Sequence, residues 1–153
     1  MKELIRATLD RIDYRKLMQY RIGKVLLICS SYDAYILEED GRLEACISQE
    51  YHDLNLTRPP AFVRAGTTSE ALKILETQKD IDLVISMYNV GTPDVFTFAI
   101  KVKENNPALP VVLLTHFTRN IMRHIHGVDC SGIDHIFCWH GNTDLILAII
   151  KLI

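Results

Sequence analysis

Residues 82–94, "DLVISMYNVGTPD", decide the fold. From Leu83 to Met87 the chain is apolar almost without a break, and it then passes through Asn89, Gly91 and Pro93, the residues of a loop. A strand that is apolar on both faces has helices over both, as a strand inside a parallel sheet does. Comparable runs stand at 24–29 ("KVLLIC"), 61–66 ("AFVRAG") and 110–116 ("PVVLLTH"), with a fifth, "HIFCWH", at 135–140. Parallel neighbours cannot be joined by a tight turn, so each pair needs a crossover of about a dozen residues or more.

The segments between the runs have helical period. "TTSEALKILETQ" (67–78) opens with Thr67 and Glu70 at capping-box spacing and puts Ala71, Leu72, Ile74 and Leu75 on one face. "PDVFTFAIKVKENN" (93–106) places Val95, Phe98, Ala99 and Val102 on another. Residues 33–54 read as one long helix through Ile36, Leu43, Ile47 and Leu54, stopped by Pro59 and Pro60. His124 and His126 fall on a further helix, and the last one begins at an N-capping Asn142 and runs to the end of the chain. Five β-α repeats joined by right-handed crossovers give an α/β fold, a doubly wound five-stranded parallel sheet of order 2-1-3-4-5, flavodoxin-like in topology. Residues 1–22 form an extension with an extra amino-terminal helix, and residues 23–153 form the domain.

Bulk properties narrow the function. The chain has 153 residues, 48% apolar and 24% charged, which is ordinary globular composition. Its formal net charge of −2, without any run of lysine and arginine, argues against nucleic acid as a partner. The amino terminus mixes charges into its apolar residues, so neither a signal peptide nor a membrane span is expected, and the expected location is the cytoplasm. The four cysteines form no C-x-x-C pair, which points to buried thiols rather than a metal or redox motif.

In doubly wound sheets ligands bind at the carboxyl ends of the strands, beside the switch point between strands 1 and 3. The residues there are Cys29 and Ser30, Met87 to Asn89 (with Tyr88 between them), Thr115 and His116, and Trp139 and His140.

With "DLVISMYNVGTPD", "NPALPVVLLTHF" (106–117) and "GIDHIFCWHGNTDLILAI" (132–149), the sequence resembles a response-regulator receiver domain over residues 23–153. The resemblance implies an acid pair after strand 1 that holds magnesium, a phospho-accepting aspartate at the end of strand 3, a hydroxyl after strand 4 and a lysine after strand 5. Position by position, these fall on Cys29 and Ser30, on Met87, on Thr115 and on Trp139. Only Thr115 fits. Asn89 matches the position whose backbone carbonyl helps hold the metal, and one carbonyl without carboxylates is a poor magnesium site. No aspartate lies between Asp82 and Asp94, and no lysine between Lys103 and Lys151, so a one-residue shift restores nothing. A thioether is uncharged, a weak acceptor and no phosphoryl carrier.

The expectation is therefore a degenerate, pseudo-receiver module without a phospho-acceptor. It is not an enzyme, takes no cofactor or metal, and acts by contact with a downstream effector domain or as a homodimer. Similar degenerate domains precede a phosphotransferase region in some bacterial proteins. Trp139 is expected to fill, with Met87, the space a metal and phosphoryl group would occupy. The broad apolar surface of the last helix, Leu145, Ile149, Ile150 and Leu152, is the expected partner face, because in receivers the last strand and last two helices carry output. The alternative is a small-molecule or metal site in the same pocket, among Cys29, Thr115, His116 and Trp139, since thiolate and imidazole suit soft metals.

Overall fold

A computed structural model describes residues 22–30, 49, 60–139 and 143–152, with the side chains of 143, 144, 147, 151 and 152 left aside. The expected amino-terminal helix and nearly all of the expected 33–54 helix, together with Cys46, His140 and the capping Asn142, lie outside these residues.

Five strands, β1 (Lys24–Ile28), β2 (Ala61–Ala65), β3 (Leu83–Met87), β4 (Val111–Thr115) and β5 (His135–Cys138), form one sheet in the order β2-β1-β3-β4-β5, parallel throughout. Four described helices alternate with them: α1 (Thr68–Thr77), α2 (Val95–Asn105), α3 (Arg119–Gly127) and α4 (Thr143–Leu152). The doubly wound order inferred from the runs is the observed one.

Position in the sheet explains the composition of each strand. β3 and β4 are buried at every residue, and β1 at all but its first, because helices cover both of their faces. The edge strands β2 and β5 are only partly buried, which matches their mixed sequences "AFVRA" and "HIFC". The three central strands share one core with Phe98, Ala99 and Val102 of α2 and with Ile146, Ile149 and Ile150 of α4.

Two aspartates pin the amino-terminal ends of the strands. Asp82, just before β3, accepts from Gly23 N at 2.7 Å and Lys24 N at 3.2 Å, tying β3 to the start of β1. Asp134, just before β5, does the same for β4, accepting from Val111 N at 2.8 Å and from Lys103 Nζ at 2.6 Å. Each carboxylate satisfies backbone donors at a strand entry that would otherwise need water.

The helix starts follow the sequence signals with one change. Thr67 caps α1, its hydroxyl accepting from Glu70 N at 3.2 Å, but the Glu70 carboxylate reaches Gly66 N at 2.9 Å, one residue before the cap. Asp94 caps α2, accepting from Thr97 N at 2.7 Å, and Thr118 caps α3, accepting from Ile121 N at 3.3 Å. Gly132, between α3 and β5, lies against the backbone of α2: a Cβ there would stand 2.5 Å from the Ala99 carbonyl carbon and 2.6 Å from Ile100 N. Only glycine permits that approach. Among the described residues, no helix is long and apolar enough to cross a membrane.

Candidate functional site

The carboxyl ends of β1, β3, β4 and β5 meet at one rim. Register pairs Ile28 with Ser86, Met87 with Leu114 and Thr115 with Cys138. The backbone ladder continues one residue past two of the strands, through Cys29 N to Ala65 O (3.1 Å) and Trp139 N to Thr115 O (3.0 Å). Those two bonds fix the backbone of Cys29 beside β2 and of Trp139 beside β4.

Met87, Asn89, Thr115 and Trp139 line a single small cavity of about 130 Å³ with Tyr88, Leu114, His116 and Ile121. Met87 and Trp139 are each 5% exposed and belong to the apolar core. Cys29, fully buried, and Ser30, half-buried, do not line that cavity. None of the described lining residues is a carboxylate or a lysine. The Thr115 hydroxyl donates to the adjacent His116 carbonyl at 3.3 Å, a long bond that leaves its oxygen able to accept. Among the described residues, no three His, Cys, Asp or Glu side chains gather closely enough to hold a metal ion.

The loop from Tyr88 to Asp94 leads from this rim into α2, and it is held on both sides. Thr68, in the first turn of α1, donates its backbone N–H to Val90 O at 2.9 Å and its buried hydroxyl to Pro93 O. Gly91 takes φ +86°, the left-handed region that favours glycine, with the Thr67 methyl 3.4 Å from where a Cβ would sit. On the other side, the His124 ring of α3 stands edge-on to Tyr88, centroids 6.0 Å apart, and tilted over Phe96 at 5.6 Å. Tyr88 and Phe96 meet edge to face at 6.2 Å. These rings border a second cleft of about 340 Å³, which also includes Asp94. The Thr97 N–H holds the Asp94 carboxyl below the usual carboxylate range, with a smaller contribution from His124. Asp94 therefore acts as a cap, seven positions along the chain from Met87 and tied to its own helix.

Sequence reasoning placed Tyr88 at the rim with Met87 and Asn89, and it missed Leu114, Ile121 and the ring of His124. Ile121 and His124 lie on a helix whose rotation about its axis no local pattern reveals.

The expected partner face needs correction. Ile149 and Ile150 are buried, 1% and 4% exposed, with Ile146 in the core, so they pack within the chain instead of facing outward. A five-stranded sheet covered on both faces consumes the apolar surface that looked surplus by helical counting alone. Leu145 is half-buried, and the Leu152 side chain lies outside the described residues. The cysteines Cys130 and Cys138 are partly buried; burial, reinforced by Asp129, pushes the Cys130 thiol up, and its sulfur donates to Ile125 O at 3.4 Å.

The fold is that of response regulator receiver domains. A receiver domain protein of Clostridium thermocellum superposes with a TM-score of 0.63 at 17% identity, over 85% of this chain and 92% of that one. The signal receiver domain of an HD domain-containing protein from Pseudomonas fluorescens gives 0.60 at 21% identity, over 84% and 85%. A Thermotoga maritima response regulator, solved in complex with magnesium and beryllofluoride, gives 0.56 at 16% identity, over 85% and 97%. No protein-family model and no curated protein matches the sequence.

Proposed function

We propose that this chain is a receiver-like signalling module that works by protein contact and takes no phosphoryl group at its rim. The observation that carries this reading is Met87, buried in the core at the end of β3, where its neighbours are Leu114, Thr115 and Trp139. Phosphoryl transfer to a protein side chain needs an anionic or activated nucleophile and a hard cation to offset the charge of the oxygens. A thioether beside an indole supplies neither. What the two residues do supply is apolar burial at the rim, each being 5% exposed, with the Trp139 amide donating to the Thr115 carbonyl. Catalysis is not expected of such a rim. The role left to the domain is to present a fixed surface, to an effector domain or to a second copy.

The test is direct. The protein is incubated with acetyl phosphate, and separately with beryllofluoride, each with magnesium, and followed by intact mass and by the fluorescence of its single tryptophan, Trp139. The expected result is no adduct and no saturable fluorescence change. A stoichiometric phosphoryl adduct, or a magnesium-dependent fluorescence titration like that expected of a protein that binds beryllofluoride, would overturn the reading.

The alternative of a ligand or metal in the pocket is less well supported. Ligand pockets commonly run from about 300 Å³ upward, and the rim cavity is near 130 Å³. Cys29, one of its supposed ligands, does not line it.

A further inference from the structure

Three aromatic rings from three separate elements border one cleft. Tyr88 comes from the loop after β3, Phe96 from the first turn of α2 and His124 from α3, and with Asp94 they line a space of about 340 Å³. The ring centroids stand 6.2, 6.0 and 5.6 Å apart, and the planes are inclined to one another by 73°, 89° and 60°. Three planes so steep to one another share only one point. A group seated anywhere else in the cleft therefore meets at least one ring on its face. Phe96 is buried, whereas Tyr88 is half-buried and His124 exposed, so two of the three rings keep surface available to an incoming group.

The charge of the cleft selects the kind of group. Asp94 is exposed, and its carboxyl is held below the usual carboxylate range, chiefly by the Thr97 N–H, so it is anionic at neutral pH. One full negative charge outweighs the positive end of α2, worth about half a charge. Among the described lining residues there is no lysine or arginine. The cleft therefore favours a cation. A metal ion does not fit, because among the described residues no three His, Cys, Asp or Glu side chains gather to hold one. A primary ammonium brings three N–H donors that ring faces satisfy poorly. A quaternary ammonium brings none, and it is attracted to an aromatic face within about 6 Å of the ring centroid. We propose that this cleft binds a small molecule with a quaternary ammonium head, seated against Tyr88, Phe96 and His124 with the Asp94 carboxylate beside it. Ligand pockets commonly begin near 300 Å³, a size that this cleft reaches and the rim cavity does not. Met87 and Trp139 do not line the cleft, so the proposal goes beyond the contact role and is independent of what occurs at the rim.

The test titrates the full chain at about pH 8, above the ordinary imidazole value of about 6.5, and follows binding by calorimetry and amide NMR. The probes are choline, tetramethylammonium and the neutral carbon analogue of choline. Both cations are expected to bind saturably, with amide shifts clustered at residues 88–96 and around His124, and the neutral analogue at least about tenfold more weakly. That comparison uses the unaltered chain and needs no variant to fold. Tyr88→Leu and His124→Leu each remove one ring and should weaken choline binding roughly threefold to thirtyfold. Asp94→Asn keeps a capping oxygen while removing the charge, and should weaken it on the order of tenfold. Far-UV circular dichroism and melting temperature establish that each variant folds. Absent binding of both cations, equal binding of the neutral analogue, or an affinity indifferent to all three variants would overturn the proposal. Preferential capture by phosphatidylcholine vesicles or by a trimethyllysine peptide would overturn it too, by assigning the cleft to a membrane or a protein. The phosphodonor experiment reads the rim separately, so either conclusion can fail alone.

Discussion

Met87→Asp returns to the end of β3 the carboxylate that the receiver resemblance leads one to look for, and its consequence can be worked out from the surroundings. Met87 is 5% exposed and packed in the core. Emptying a buried methionine site costs about 2–5 kcal/mol through lost transfer energy and cavity formation. The aspartate then adds a charge to a cavity whose other described lining residues are Tyr88, Asn89, Leu114, Thr115, His116, Ile121 and Trp139, with no lysine or arginine among them. Burial without a partner raises a carboxyl above its unfolded value.

The sign of the pH dependence follows. With its folded pKa above its unfolded one, the aspartate is no added burden below about pH 4, where it is protonated in both states. As pH rises from there the unfolded chain ionises first, and the penalty grows by about 1.4 kcal/mol per unit until the folded pKa is reached. At pH near 7 the total loss should be about 4 kcal/mol or more, a large part of the 5–15 kcal/mol of a typical domain. Urea denaturation of wild type and variant at several pH values between about 4 and 7 measures it. Acetyl phosphate with magnesium should still leave the variant unmodified, because one carboxylate restores neither the acid pair nor the lysine. A variant as stable as wild type at neutral pH, a pH-independent penalty, or magnesium-dependent phosphorylation would refute the reasoning.

Gly132→Ala should destabilise by about 3 kcal/mol, the upper end for overpacking, because its Cβ would meet the α2 backbone at 2.5 Å and neither side can yield; thermal melting checks this. Asp94→Ala should remove the α2 cap at a cost of about 1 kcal/mol. The Asp94 carboxyl is held below its ordinary value, so its contribution is present above the unfolded pKa and is lost as pH falls through the folded one; the gap between wild type and variant should close in acid. Trp139 fluorescence should be protected from iodide, since the side chain is 5% exposed, and Trp139→Ala should cost about 3–5 kcal/mol in urea unfolding, against little change if the ring were on the surface.

Much of the architecture was legible because burial on both faces leaves a continuous apolar run. Leu83–Met87 and Val111–Thr115 announce central strands for that reason, and the caps Thr67 and Asp94 stand where their spacing places them. The rim was legible too, since the topology alone delivers Met87, Thr115 and Trp139 to one end of the sheet. Other features depend on contacts between distant segments. Helical counting could not tell that Ile149 and Ile150 are consumed by the core. Nor could it tell that Asp82 and Asp134, unremarkable as letters, each tie a strand to its neighbour across more than 20 residues.

The loop after Met87 joins the rim to the rest of the molecule, and its attachments bear on mechanism. Thr68 holds its middle from α1, the Asp94 cap fixes its end to α2, and the His124 ring borders Tyr88 from α3. All three attachments come from the chain's own donors, acceptors and rings. A loop held in this way has its geometry set by folding, so the orientation of α3 relative to the rim is set with it.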